Sequence, residues 1–187
     1  MIRTQLHWGT LTLREPDPAD VERYADVLAH AYNDPKNAPL LGHADEIDHA
    51  DVIEHYAALA DEGHAFMLFN GDRLVGDGDL RGITDGAAEV ALLIADPSAQ
   101  GKGLGTKLVL LLTTFGFRVL DLDTIFASVA PQNTASKRVF EKLGFWLDAS
   151  PRARSFAETP DDLVFALDRA AFDCLHSTIV AGIVIAA

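Results

Sequence analysis

From Thr10 to Arg14 the chain alternates Leu11 and Leu13 with polar neighbours, the period-2 signature of a strand with one buried face. Pro16, Asp17 and Pro18 end it, and Asp17 or Asp20 can cap a helix whose Val21, Tyr24, Ala25, Leu28 and Ala31 recur at helical spacing as far as Asn33 to Pro35. Residues 36–47 read as loop. A second amphipathic helix carries Val52, Ile53, Tyr56, Ala57 and Leu59 and closes at Gly63. An antiparallel meander follows: Ala65 to Phe69, a turn at Asn70-Gly71-Asp72, Leu74 to about Ile83, a turn at Asp85-Gly86, then Glu89 to Ala95. Gly76 and Gly78 within it predict a bulge or a closely approached backbone. Leu104, Leu108, Leu111, Leu112 and Phe115 mark a strong helix, Ile125 to Val129 a buried strand, Ala135 to Leu143 a short helix, and Phe145 to Leu147 and Leu163 to Leu167 two further strands. The pattern is mixed α/β.

Length, composition and charge narrow the function. The 187 residues, 49% of them hydrophobic, suit one folded domain. A formal net charge of -13 repels a phosphate backbone, so nucleic acid is not an expected partner. The single cysteine, Cys174, makes no intramolecular disulfide and no cysteine-based zinc site, which points to a reducing cytoplasm. Charged and polar residues interrupt the first fifteen positions, so no signal peptide is expected there. The apolar run Thr178 to Ala187 is about half of the roughly 20 residues that a spanning helix needs. It reads as a β-rich tail, 170–187 in the division of the chain, that packs on the body or pairs with a second subunit in a homodimer. Residues 1–169 form the domain proper.

Chemistry concentrates in two segments. Between the strand ending at Ala95 and the helix from about Gly103 lies D-P-S-A-Q-G-K-G-L-G-T-K, where glycines at 101, 103 and 105 expose backbone N–H groups beside the positive end of a helix dipole, an arrangement suited to a pyrophosphate. The run matches neither the dinucleotide fingerprint nor the P-loop, so neither nucleotide fold is expected. A Gly-rich turn that merely lets helix and strand pack closely is the plainer alternative. The second segment, N-T-A-S-K-R-V-F-E-K-L-G-F from Asn133, is a helix with Asn133 as N-cap and Gly144 as terminator.

Together these segments resemble the hallmarks of the GNAT superfamily of acetyl-CoA-dependent N-acetyltransferases. Gln100 to Gly105 fits Q/R-x-x-G-x-G/A, and Asn133 onward fits N-x-x-[AS]-x-x-x-[YF]-x-x-x-G-F. The opening L-T-L-R-E and the second segment are similar to the RimJ/RimL branch. The resemblance covers residues 10–169. It implies a mixed, mostly antiparallel sheet flanked by helices, whose fourth and fifth strands, about 88–95 and 124–130, splay to admit the pantetheine arm. It further implies that Leu93, Ile94 and Ala95 pair with pantetheine amides. The backbone N–H groups of Gly101, Lys102, Gly103, Leu104, Gly105 and Thr106, with Gln100 beside them, would hold the pyrophosphate, and Asn133 and Ser136 would contact the arm. Acetyl-CoA is thus the implied co-substrate and a primary amine, on a small molecule or a peptide N-terminus, the acceptor. The resemblance also implies direct attack in a ternary complex, with no metal.

A protonated amine has no lone pair, so attack on a thioester needs a base. Glu89, eleven residues before Gln100, stands where several family members place a glutamate base; a strand-end carboxylate that keeps the edge polar is the alternative. Many relatives protonate the leaving thiolate with a tyrosine four residues before the motif's glycine, and this chain has Phe140 there, a core aromatic beside the cofactor. Tyr24, Tyr32, Tyr56, water or solvent must then serve, and Ser128 stands where some peptide acetyltransferases carry a glutamate. From Glu15 to Glu62 thirteen acids face only Arg23 and Lys36, whereas Gln100 to Arg154 carries eight Lys or Arg and four acids. An acidic half suits a cationic acceptor, with Asp34, Asp45, Glu46 and Asp48 as candidate contacts; a solvated helix face is the alternative. His43, His49 and His55 are spaced by six residues, which does not set ligands on one helical face, so no metal site is expected. The rival readings are a non-catalytic acyl-CoA-binding module and an interaction subunit assembled through its apolar tail.

Overall fold

The computed structural model describes residues 3–41 and 45–186. Among the described residues, a single mixed sheet of nine strands runs in the order β7-β8-β6-β5-β4-β3-β2-β1-β9. The strands are β1 Gln5–Trp8, β2 Leu11–Arg14, β3 Gly63–Asn70, β4 Arg73–Thr84, β5 Ala87–Leu93, β6 Thr124–Val129, β7 Trp146–Leu147, β8 Leu163–Asp168 and β9 Val184–Ala186. Every pairing is antiparallel except β5 with β6. The helices are α1 Pro18–Tyr32, α2 Ala38–Leu41, α3 His49–Glu62, α4 Leu104–Arg118, α5 Thr134–Lys142, α6 Pro151–Arg154 and α7 Arg169–Val180.

Alternation along the strands sends neighbouring side chains to opposite faces. Phe66, Leu68, Leu80 and Val90 pack with Leu108, Leu111, Leu112 and Phe115 of α4. Met67, Phe69 and Leu74 pack on the other side with Val21, Ala25 and Leu28 of α1 and Val52, Tyr56 and Leu59 of α3. Each such fully buried side chain contributes roughly 1.5–3 kcal/mol. The two helices over the second face start on reciprocal caps. Asp17 accepts the Asp20 N–H at 2.8 Å while Asp20 accepts the Asp17 N–H at 3.2 Å, and Asp48 and Asp51 repeat the arrangement on α3.

The glycines of β4 behave as the sequence predicts. The register against β3 shifts between Leu68 and Phe69, so Val75 is the extra residue of a bulge. A Cβ on Gly76 would lie 2.4 Å from the Leu93 carbonyl oxygen, and one on Gly78 would lie 2.7 Å from that of Ala91, so the backbones of β4 and β5 meet closely here.

Several elements depart from expectation: the short helix α2 forms within 36–47, read as loop, and α6 follows Ser150 where no helix was expected. Residues 5–8 form β1, which adds a strand before the expected first one, so the strands expected as fourth and fifth are β5 and β6. The apolar tail is not β-rich throughout. Asp168 caps α7 by accepting the Ala171 N–H at 2.7 Å, and the helix continues through Thr178, Ile179 and Val180 because Phe172 and His176 bury one side of it. Only Val184–Ala186 extends, pairing with β1 at the sheet edge.

Candidate active site

The site begins where β5 and β6 part. Their parallel pairing covers only Ala87, Ala88 and Glu89 against Thr124, Ile125 and Phe126. Beyond Glu89, β5 runs on beside β4 while β6 runs on beside β8 through Val129, which leaves a wedge with an unpaired β5 edge. On the α1 and α3 side the wedge opens into a cavity of about 350 Å³. Glu89 to Leu93 line it, with Tyr32 of α1, His55 and Tyr56 of α3, Asp77, Asp79 and Arg81 of β4, Ser128 of β6, and Asn133, Ser136 and Phe140.

Glu89 points into this cavity from the last paired position of β5. Its carboxylate accepts from Arg81 Nε at 3.2 Å, and the same guanidinium also bonds Glu158. Burial pushes the Glu89 carboxyl above its ordinary value, and Arg81 opposes the shift. Burial works against the Arg81 charge, but Asp79 and Glu89 together hold its proton more firmly than usual.

Leu93, Asn133, Ser136 and Phe140 meet Glu89 in the one cavity, whereas Ile94, Ala95 and residues 100–106 lie outside its lining. Ile94 and Ala95 follow the end of β5, and the Ile94 carbonyl accepts the side-chain amide of Gln100 at 3.0 Å, which ties the glycine loop to the strand end. Gly101 and Gly103 adopt φ of 72° and 78°, a region that glycine enters without strain. Gly103 caps α4 with no side-chain bond, so the first amides of the helix face outward with its dipole. Open space surrounds both glycines where a Cβ would stand. Lys102, Leu104, Gly105 and Thr106 complete this turn, and Gly105 packs toward Val139 of α5. Asn133 uses its Oδ1 to cap α5, accepting the Ser136 N–H at 3.0 Å. Phe140 is buried against Phe145 and Phe165, centroids 5.0 and 6.3 Å away, so it serves as a core aromatic.

Of the candidate proton donors, Tyr32 and Tyr56 reach the cavity, and Tyr24 instead packs edge-on against Phe69 at 5.5 Å. Both cavity phenols donate to Asp77 Oδ2, Tyr56 at 3.1 Å, and burial together with that carboxylate keeps them protonated. Ser128 donates to Asp162 at 2.9 Å and accepts the Glu158 N–H at 3.0 Å.

The acidic contacts expected from the charge run are elsewhere. Asp34 accepts the Lys36 N–H, Asp48 caps α3, and Asp45 and Glu46 are not in the cavity lining. The acids that do line it are Asp77 and Asp79, which sequence reading passed over, together with Asp51 and Glu158. The spacing carried half of the signal: two Asp at i and i+2 of a strand share one face of the sheet, but the spacing does not say which face. His49 bonds Asp26 and Glu22 at the surface, His55 lies in the cavity wall, and His43 lies outside the described residues.

A splayed parallel pair, an unpaired strand edge, and a glycine turn of free amides at a helix start define an acyl-CoA-type transferase fold. The family model for the acetyltransferase (GNAT) domain matches residues 10–146, and the chain belongs to that family. A probable N-acetyltransferase of Bacillus subtilis, YjcK, is 39% identical over 89 residues, 46% of this chain. That match takes in 49% of YjcK, so the chain spans about half the length of that relative. RimJ of Mycobacterium smegmatis, solved with CoA-disulfide, superposes with a TM-score of 0.74 at 19% identity, covering 97% of this chain and 98% of that one. The aminoglycoside acetyltransferase AAC(6')-Ib, solved with paromomycin and acetyl-CoA, superposes with a TM-score of 0.69 at 25% identity, covering 91% and 96%.

Proposed function

We propose that this protein transfers the acetyl group of acetyl-CoA to a primary amine held in the cavity beside Glu89. The wedge carries the reading: three parallel pairs join β5 to β6, and past them β5 offers outward amides to an extended ligand as a missing strand would. The residues present fit the co-substrate. Leu93, Ile94 and Ala95 offer backbone groups to amides of its arm, and the turn from Gly101 to Thr106, bare of side chains at its two left-handed positions, admits a pyrophosphate to the helix start. Acetyl-CoA supplies the activated acyl group. The CoA and acetyl-CoA held by the superposed relatives support the same placement.

Glu89 accepts the proton of the attacking amine in this reading. Burial makes its carboxylate a better base than a free one, and Arg81 fixes its orientation. The departing thiolate has a conjugate acid of pKa about 8.5, so it tolerates a weak donor, and Tyr32 and Tyr56 are the phenols within the cavity. The single cysteine, Cys174, accords with work in the cytoplasm.

Calorimetric titration of acetyl-CoA into the wild type and into Gly103→Glu tests the cofactor half. Tight binding by the wild type and its loss in the variant are expected, since the new carboxylate stands where the pyrophosphate would lie. A thiol-release screen over amines tests the transfer half, with Glu89→Gln expected to lower turnover by about 100-fold or more while acetyl-CoA binding persists. Binding without turnover on any amine would favour the non-catalytic reading, and a folded wild type that binds no acetyl-CoA would overturn the assignment.

A further inference from the structure

Besides Glu89, the cavity lining holds two buried carboxyl groups, which the transfer step does not use. Asp77 and Asp79 are 6% and 7% exposed, on neighbouring same-face positions of β4. Each has an Oδ1 with no hydrogen-bond donor. Asp77 spends only Oδ2, on the two tyrosine hydroxyls, and no basic side chain forms an ion pair with it among the described residues. Asp79 has Arg81 Nε at 3.8 Å, beyond hydrogen-bonding distance, and that guanidinium is already engaged by Glu89 and Glu158. Buried acceptors left without donors are costly, and proteins seldom keep two side by side for packing alone. On β5, Ala91 pairs with Asp79 and lines the same cavity, beyond the stretch of β5 that pairs with β6.

We infer that Asp77 and Asp79 form a binding site for an ammonium group of the acceptor, one that is not acetylated, so that the acceptor carries at least two amino groups. The inference rests on the transferase reading and deepens it. An ammonium nitrogen supplies three donors to acceptors that lack any. A carboxylate pair favours the charged form of the amine it holds, and a charged amine cannot attack. The amine seated there is therefore the anchor, and the reacting amine is a second one. Glu89 is placed for that second amine because Arg81 already offsets its charge, so it can take a proton without trapping a cation. Asp79 and Glu89 stand 3.8 and 3.2 Å from the same Arg81 nitrogen, which sets the two amines a short alkyl chain apart. The apolar walls from Leu41, Val52 and Leu59 suit the methylenes between them.

Putrescine, cadaverine and spermidine are the diamine probes and butylamine the monoamine control. Each is titrated calorimetrically into the wild type without acetyl-CoA, and each is then assayed by thiol release. At least one diamine or polyamine is expected to bind tenfold or more tightly than butylamine and to be acetylated once. Asp77→Asn and Asp79→Asn should each weaken that preference tenfold or more, raising KM far more than they lower kcat, while acetyl-CoA binding stays unchanged and shows the variants folded. Diamines that bind no better than butylamine, or that bind both variants as tightly as the wild type, would overturn the anchor site and leave the transferase reading intact. Failure of the wild type to bind acetyl-CoA would instead defeat the reading beneath it.

Discussion

Asp77 and Asp79 lie where water cannot stabilise their charge, and burial pushes their carboxyl groups from an ordinary 3.8 up to about 6 and about 7. Between pH 4 and 7 the folded protein keeps protons that the unfolded chain has released. Stability therefore falls as pH rises through that window and levels off above it. Asp79→Asn removes the ionisation while keeping the shape, so it should be more stable than the wild type at pH 8 by on the order of 1 kcal/mol, with the gap closing toward pH 4. Urea midpoints at the two pH values measure this, and a variant no more stable at pH 8 would show that the buried charge is compensated. Glu89 was singled out because the family resemblance places a glutamate eleven residues before Gln100, and it lines the cavity. The aspartate pair was not read, because an acid in a strand declares its face only once the neighbouring strands and the covering helices are in place. Here Tyr32 and Tyr56 come from 45 and 21 residues away to meet Asp77.

The elements that build the site depend on the missing side chains of β4. A Cβ at Gly78 would stand 2.7 Å from the Ala91 oxygen and 2.8 Å from Leu112 Cδ1, so it would press on β5 and α4 at once. Gly78→Ala is expected to destabilise the fold by about 1–3 kcal/mol, read from a denaturant midpoint, and to weaken acetyl-CoA binding by shifting the β5 edge. An unchanged midpoint would mean that the strands can part at no cost. The long elements, α1, α3, α4 and the β3 to β5 meander, were legible because each carries several turns or alternations and a capping or turn residue at its ends. β1 was missed and the tail misread for opposite reasons. Four residues with Leu6 as their single buried side chain give too little pattern to read. Thr178, Ile179 and Val180 favour strands locally, yet they extend a helix already begun at Asp168 and docked through Phe172 and His176.

At the scale of the molecule, the acids of α1 and α3 lie over the face of the sheet that bears the cavity, while the glycine turn, the start of α4 and α5 carry Lys102, Lys107, Lys137, Arg138 and Lys142. Such a layout favours a cation on one approach and an anion on the other. The parting of β5 from β6 has a mechanical side as well. The sheet is two panels, β7-β8-β6 and β5 through β9, joined like a half-closed zip along three rungs at one end. A ligand that bonds the open edge of β5 supplies teeth the chain lacks, so part of its binding energy goes into stiffening the panels against each other. Saturating acetyl-CoA should therefore slow amide exchange along Val90–Leu93, and at a hundredfold excess over Kd it should stabilise the whole fold by about 2.7 kcal/mol. Exchange unchanged along that edge would place the ligand elsewhere. The short seam between the panels is thus also the place where a ligand on the open edge of β5 would adjust the stability of the whole sheet from outside.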